Sequence, residues 1–176
     1  MIGPATSATS IALDQNFPLP ILQCVEPYLP DIQFAHIEKI DRRLSRLDDW
    51  QVIVALWHRG FSALASNDYH MLDQYKVVTA ALRTKLNLIL IEGLGDDAIR
   101  ATGSLLLDLS YIATHIDTHR CRIFRIKRNN PAGETGADYL NQRATRRRVS
   151  LKELVKQEQI TADDLRDPLA TDEPAK

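Results

Sequence analysis

The side chains best equipped for chemistry crowd into one stretch. Between Arg120 and Lys152 stand ten basic residues: Arg120, Arg122, Arg125, Lys127, Arg128, Arg143, Arg146, Arg147, Arg148 and Lys152. Only Glu134 and Asp138 oppose them there, an excess of eight positive charges. The whole chain of 176 residues sums to −1, so the rest of it carries an excess of nine negative charges. Eight of the ten cations are arginine, whose planar guanidinium donates two parallel hydrogen bonds to a phosphate. Each phosphate neutralised also releases condensed counterions. The pattern points to a polyanion, nucleic acid foremost, held by its backbone with little reading of bases. Two other readings stand beside it: pairing with the chain's own acidic remainder, or docking of a basic arm on an acidic protein partner. A smaller set, Arg42, Arg43, Arg46 and Arg59, lies near Asp41, Asp48 and Asp49 and reads as solvated, paired surface.

Other constellations are weaker. His115 and His119 are four apart, which on a helix aims both imidazoles one way, as two metal ligands would be. No second HxxxH, HExxH or CxxC completes a ligand set, so no metal and no other cofactor is expected. Cys121 stands among arginines, a setting that favours thiolate, but no base or pocket is evident around it. Gly93-Leu94-Gly95 lacks the lysine and third glycine of a phosphate-binding loop. Trp50 and Trp57, seven apart on an apolar face, read as core rather than as a platform for bases. Leu151–Glu158 and Thr161–Arg166 have the outline of a helix-turn-helix. The second member opens on Thr161, Ala162, Asp163 and Asp164, and two acids there face phosphate poorly.

The elements that would position these residues read as helices. After Pro30, Asp31 can cap a segment with Phe34, Ile37, Ile40, Leu44 and Leu47 at three-and-four spacing. Asp48 or Asp49 caps a second, with Trp50, Ile53, Val54, Trp57, Phe61 and Leu64 on one side. A third runs from Tyr69 to Ile91, its end Leu86–Ile91 apolar all round. A buried strand is the competing reading for that end. Gly93 and Gly95 stop it, and Asp96 and Asp97 open a fourth segment through Ile99, Leu106, Leu109, Ile112 and Ile116. Ile123 and Ile126 keep its phase, so the spacing extends this helix toward Arg128, with a short strand as the alternative. Ser150 and Glu153 form a capping box for one more short helix.

The expected fold class is therefore mainly α: a bundle of four to five helices with a basic C-terminal extension and short terminal helices. Residues 1–20 read as a flexible leader, 21–128 as the bundle core, 129–167 as a basic loop with short helices, and 168–176 as a disordered tail. No signal-peptide pattern and no apolar run of about 18 residues is present. Two cysteines make no disulfide framework. The expected protein is cytoplasmic, without a membrane, homo-oligomeric and non-enzymatic. It is a regulatory or accessory factor binding nucleic acid, or another polyanion, through Arg120, Arg122, Arg125, Lys127, Arg128, Arg143, Arg146, Arg147 and Arg148. A helical adaptor, chaperone or inhibitor with an acidic protein partner is the alternative, and a metal-dependent helical enzyme using His115 and His119 is a minor third reading.

Overall fold

A computed structural model describes residues 9–15, 17–18, 26–94, 97–127, 133–157 and 159–170. It overturns the all-helical expectation. The chain builds a six-stranded sheet in the order β2-β1-β3-β4-β5-β6. The strands are β1 (Thr9–Leu13), β2 (Ile32–His36), β3 (Ala63–Ser66), β4 (Asn87–Ile91), β5 (Arg122–Ile126) and β6 (Gly133–Thr135). The first five are parallel, and β6 is antiparallel at the edge, with Arg122 opposite Thr135. Six α-helices accompany them: α1 (Ile37–Ile40), α2 (Asp49–His58), α3 (Tyr75–Thr84), α4 (Ala98–His115), α5 (Gly136–Arg147) and α6 (Leu151–Gln157).

Central parallel strands are buried on both faces, so they read as unbroken apolar runs without alternation. Ala63-Leu64-Ala65 and Leu88-Ile89-Leu90-Ile91 are such runs, at 0–3% exposure. Both sit just past a helix whose three-and-four spacing they happen to continue. The backbone makes the breaks that spacing misses. Gly60, at φ +78°, turns the chain after α2, and Lys85, at φ 62°, ends α3 in the left-handed region. The expected helix from Phe34 to Leu47 is likewise β2, the four-residue α1 and a 3₁₀ turn over Arg42–Arg46. Thr9–Leu13, inside the expected leader, form β1, with Ile11, Ala12 and Leu13 wholly buried. Residues 21–25, at the start of the expected bundle core, and the last residues of the tail, 171–176, lie outside the described residues.

One polar residue in the apolar runs has a clear task. Asn87, fully buried, donates from Nδ2 to the carbonyls of Ser62 (3.0 Å) and Asp117 (2.9 Å). Its Oδ1 accepts from the N–H of Arg122 (3.2 Å). The amide thus ties together the chain entering β3, β4 and β5.

Two apolar layers sandwich the sheet. On one face α1, α2, α3, α5 and α6 cover Leu64, Leu88, Leu90 and Ile123. On the other, α4 with Phe17 and Leu29 covers Ile11, Leu13, Ile89, Phe124 and Ile126. A fully buried side chain of this kind contributes about 1.5–3 kcal/mol. The crossovers β2–α2–β3 and β3–α3–β4 step the same way across the sheet over the first face. The step β4–α4–β5 continues in that direction over the second face, so it has the opposite hand. Nearly all β–helix–β units are right-handed. This exception leaves α4 the single α-helix, among the described residues, on its side of the sheet.

Candidate functional site

The basic segment is not an extension. Its first half enters the sheet as β5 and its second half forms α5, so the predicted site residues are divided. Arg120 lies exposed in the turn before β5, and Arg122 opens that strand at its amino end. Both stand near Asp117, whose carboxyl is lowered, first by the hydrogen bond from the His119 N–H and further by these two charges. Arg125 and Lys127 lie at the other end of β5. Arg125 Nε donates to Glu92 Oε1, with Glu134 Oε1 3.9 Å from its Nη1, and Lys127 Nζ is 2.9 Å from Glu92 Oε2. Burial pushes the Glu92 carboxyl up, but the hydrogen bonds from Arg125 and Lys127 outweigh it and hold it below its ordinary value. These two cations are therefore engaged within the chain, as the pairing alternative foresaw. Arg128 lies outside the described residues.

The second half runs up α5. Thr135 caps this helix, accepting from the Asp138 N–H at 3.0 Å. Tyr139 and Leu140 anchor it in the core, and the Tyr139 hydroxyl donates to the Leu72 carbonyl. Arg143 donates from Nε to that hydroxyl (2.9 Å) and from Nη2 to Asp73 Oδ1 (2.6 Å). One turn on, the Arg147 guanidinium lies 4.5 Å from the Tyr75 ring centroid. Arg148 ends the helix in the left-handed conformation, φ 57°, its N–H on the carbonyls of Ala144 and Thr145. Arg146 and Arg148 are exposed and, like Arg147, have no ion pair among the described residues. Lys152, in the first turn of α6, is exposed as well. The helix capping box expected there is formed, with Glu153 N donating to Ser150 Oγ at 3.1 Å.

Secondary candidates resolve differently. α4 ends at His115, so His119 is not on the same helix and the helical i,i+4 geometry is lost. The His115 ring stacks on Tyr111 at 4.1 Å. Among the described residues no group of three His, Cys, Asp or Glu side chains is placed to hold a metal ion. Cys121 is buried, and burial pushes its thiol up to about 12, which opposes the thiolate that the neighbouring arginines suggested. Trp57 is 42% exposed, and Lys76 Nζ stands 3.8 Å from the Trp50 ring centroid, so neither indole is simple core.

The sequence reading missed a second cluster. In doubly wound sheets ligands bind beyond the carboxyl ends of the strands where the chain reverses its direction of travel. Here that point lies between β1 and β3. Ser66 Oγ donates to Asp14 Oδ2 (2.6 Å) and accepts from the Asp68 N–H (3.0 Å). Asp49, in the first turn of α2, accepts from Gln74 Nε2 (3.0 Å). Burial raises the Asp49 carboxyl, and the charges of Asp68, Asp14 and Asp48 add to the effect of burial. Asp14, Asp49, Ser66 and Asp68 line a cavity of about 90 Å³. The signal was present as polar residues directly after apolar runs, Asp14 after Ile11-Ala12-Leu13 and Ser66 after Ala63-Leu64-Ala65. It becomes readable only once those runs are recognised as parallel strands.

No family model, curated protein or solved structure matches this chain. No helix among the described residues is long and apolar enough to cross a membrane.

Proposed function

We propose that this protein is a non-enzymatic α/β regulatory or accessory module that holds nucleic acid by its phosphate backbone, through the C-terminal end of α5. The observation that carries this reading is the contrast among the basic residues. Arg125, Lys127 and Arg143 are neutralised by Glu92, Glu134 and Asp73. Arg146 and Arg148 instead turn to solvent, with Lys152 close in sequence and Arg147 lying over an aromatic ring. The proposed phosphate contacts are Arg146, Arg147 and Arg148, with Arg120 and Arg122 at the opposite end of the sheet. Guanidinium groups in this state lose little on meeting phosphate, because no internal partner has to be given up. Base reading is not expected, since these side chains leave a helix C-terminus rather than lying along a groove-sized helix face.

The test is fluorescence anisotropy with a labelled DNA duplex and a labelled single-stranded RNA over a salt series. Wild type should bind with an affinity that falls steeply as salt rises. Triple R146A/R147A/R148A should lose at least about tenfold, and on duplex DNA its log–log salt slope should flatten by about 0.9 for each phosphate contact removed. R148G removes one charge where the backbone already favours glycine, so its share of the loss cannot come from misfolding. Equal binding by wild type and the triple variant refutes the proposal.

A further inference from the structure

Leu107 is 87% exposed, Ile99 69% and Tyr111 48%, and all three belong to α4. With Gly103 they recur every four residues and form one inclined row on the outward side of the helix. The opposite side carries Ala101, Leu105, Leu109 and Ile112, which are buried against the sheet. A helix apolar on both sides is one that is covered on both sides. Gly103 supports the same conclusion. A side-chain carbon added there would meet nothing within 4 Å, and its backbone is not in the left-handed region. Among the described residues nothing calls for glycine at mid-helix, where it weakens the helix, but a second helix crossing closely at that point would.

Charge identifies the partner. Arg100 and Asp108 lie on one flank of this row, four residues either side of Ser104. Neither side chain has a hydrogen bond or ion pair among the described residues. Burial raises the Asp108 carboxyl, and no described cation offsets it. The helix also borders a groove of about 430 Å³, walled by Arg100, Gly103, Ser104 and Leu107 and floored by the ends of β4 and β5.

We propose that α4 is the contact surface for a second copy of this chain, packed antiparallel about a two-fold axis at Ser104. Such an axis returns each flank of the helix to itself and pairs positions equidistant from Ser104. Arg100 of each copy then meets Asp108 of the other, twice over. Leu107 enters the partner's groove beside Gly103, where a larger residue would stand in the way. A parallel two-fold would instead carry each flank to the opposite side, so Arg100 and Asp108 would face the uncharged flank of Leu106 and Ser110 and meet no opposite charge. Because α5 lies on the opposite face of the sheet, this contact leaves the Arg146–Arg148 end of both copies uncovered. The inference does not rest on the polyanion reading.

Sedimentation equilibrium of the full chain decides it. Wild type should show reversible dimerisation of a 19.9 kDa protomer, and L107E should be monomeric. Single variants R100D and D108R should each raise the dimer dissociation constant by about tenfold or more through like-charge contacts. Double R100D/D108R should restore dimerisation, and an equimolar mixture of the two single variants should form mixed dimers. Far-UV circular dichroism keeps loss of fold apart from loss of contact, and these surface variants should retain the native spectrum. A wild type that stays monomeric, or that meets only a different protein through this face, overturns the proposal. So does a dimer insensitive to both charge reversals, or a double variant no better than the singles.

Discussion

Asp49 illustrates how one side chain can be held at some cost to the fold. It occupies the first turn of α2, a position that favours a negative charge, yet it faces Asp14, Asp48 and Asp68 in a partly buried setting. A carboxyl whose folded value is raised costs stability once pH climbs above its unfolded value, near 4. Below that point both states are protonated and the cost is absent. D49N should therefore raise the urea midpoint at pH 7 and leave it unchanged near pH 3, measured by tryptophan fluorescence. The asparagine retains an oxygen for the Gln74 amide, so the comparison isolates the charge. A neutral side chain that lowers the midpoint at pH 7 would show instead that the carboxylate is structurally required.

Helices and strands differ in how they announce themselves. The starts of α2, α4 and α6 fall where the pairs Asp48-Asp49 and Asp96-Asp97 and the single Ser150 put them, with Asp48 and Asp97 as the capping members of their pairs, because capping depends on residues within one turn. Strands β3 and β4 are not separated from the helices before them, because doubly buried strands carry no alternation and simply prolong an apolar pattern. The candidate site divides the same way. That arginines cluster around Arg146 is visible by counting. That Arg125 and Lys127 are consumed by Glu92 is not, since the pairs join residues more than thirty positions apart through adjacent strands. Within α4, Gly103 offers a check at this scale. In an L107E background, which removes self-association, G103A should stabilise the monomer by about 0.5–1 kcal/mol in urea denaturation, as alanine does in an open helix interior. A destabilised G103A would mean that the chain itself needs the glycine.

At the scale of the molecule, the acidic and basic parts form one fold. The last described segment packs back onto the helical layer. Ile160 and Leu169 are buried, Arg59 Nη1 lies 3.4 Å from Asp167, and His58 Nε2 is 2.8 Å from the Leu165 carbonyl. Ending the chain after Gln157 should cost about 3 kcal/mol or more from the two lost apolar side chains alone. A chemical-denaturation curve checks this, and an unchanged midpoint would show the segment to be dispensable.

The place of β1 has a consequence for synthesis. This strand comes first among the described strands but lies inside the sheet, between β2 and β3. Parallel neighbours cannot be supplied by a hairpin, only by a later crossover. As the chain leaves the ribosome, Ile11, Ala12 and Leu13 must wait until Ala63–Ser66 has emerged before their second edge is closed. Refolding of the complete chain, where β3 is at hand from the start, and folding during translation thus begin from different problems, and only the second exposes β1 as an open, apolar edge.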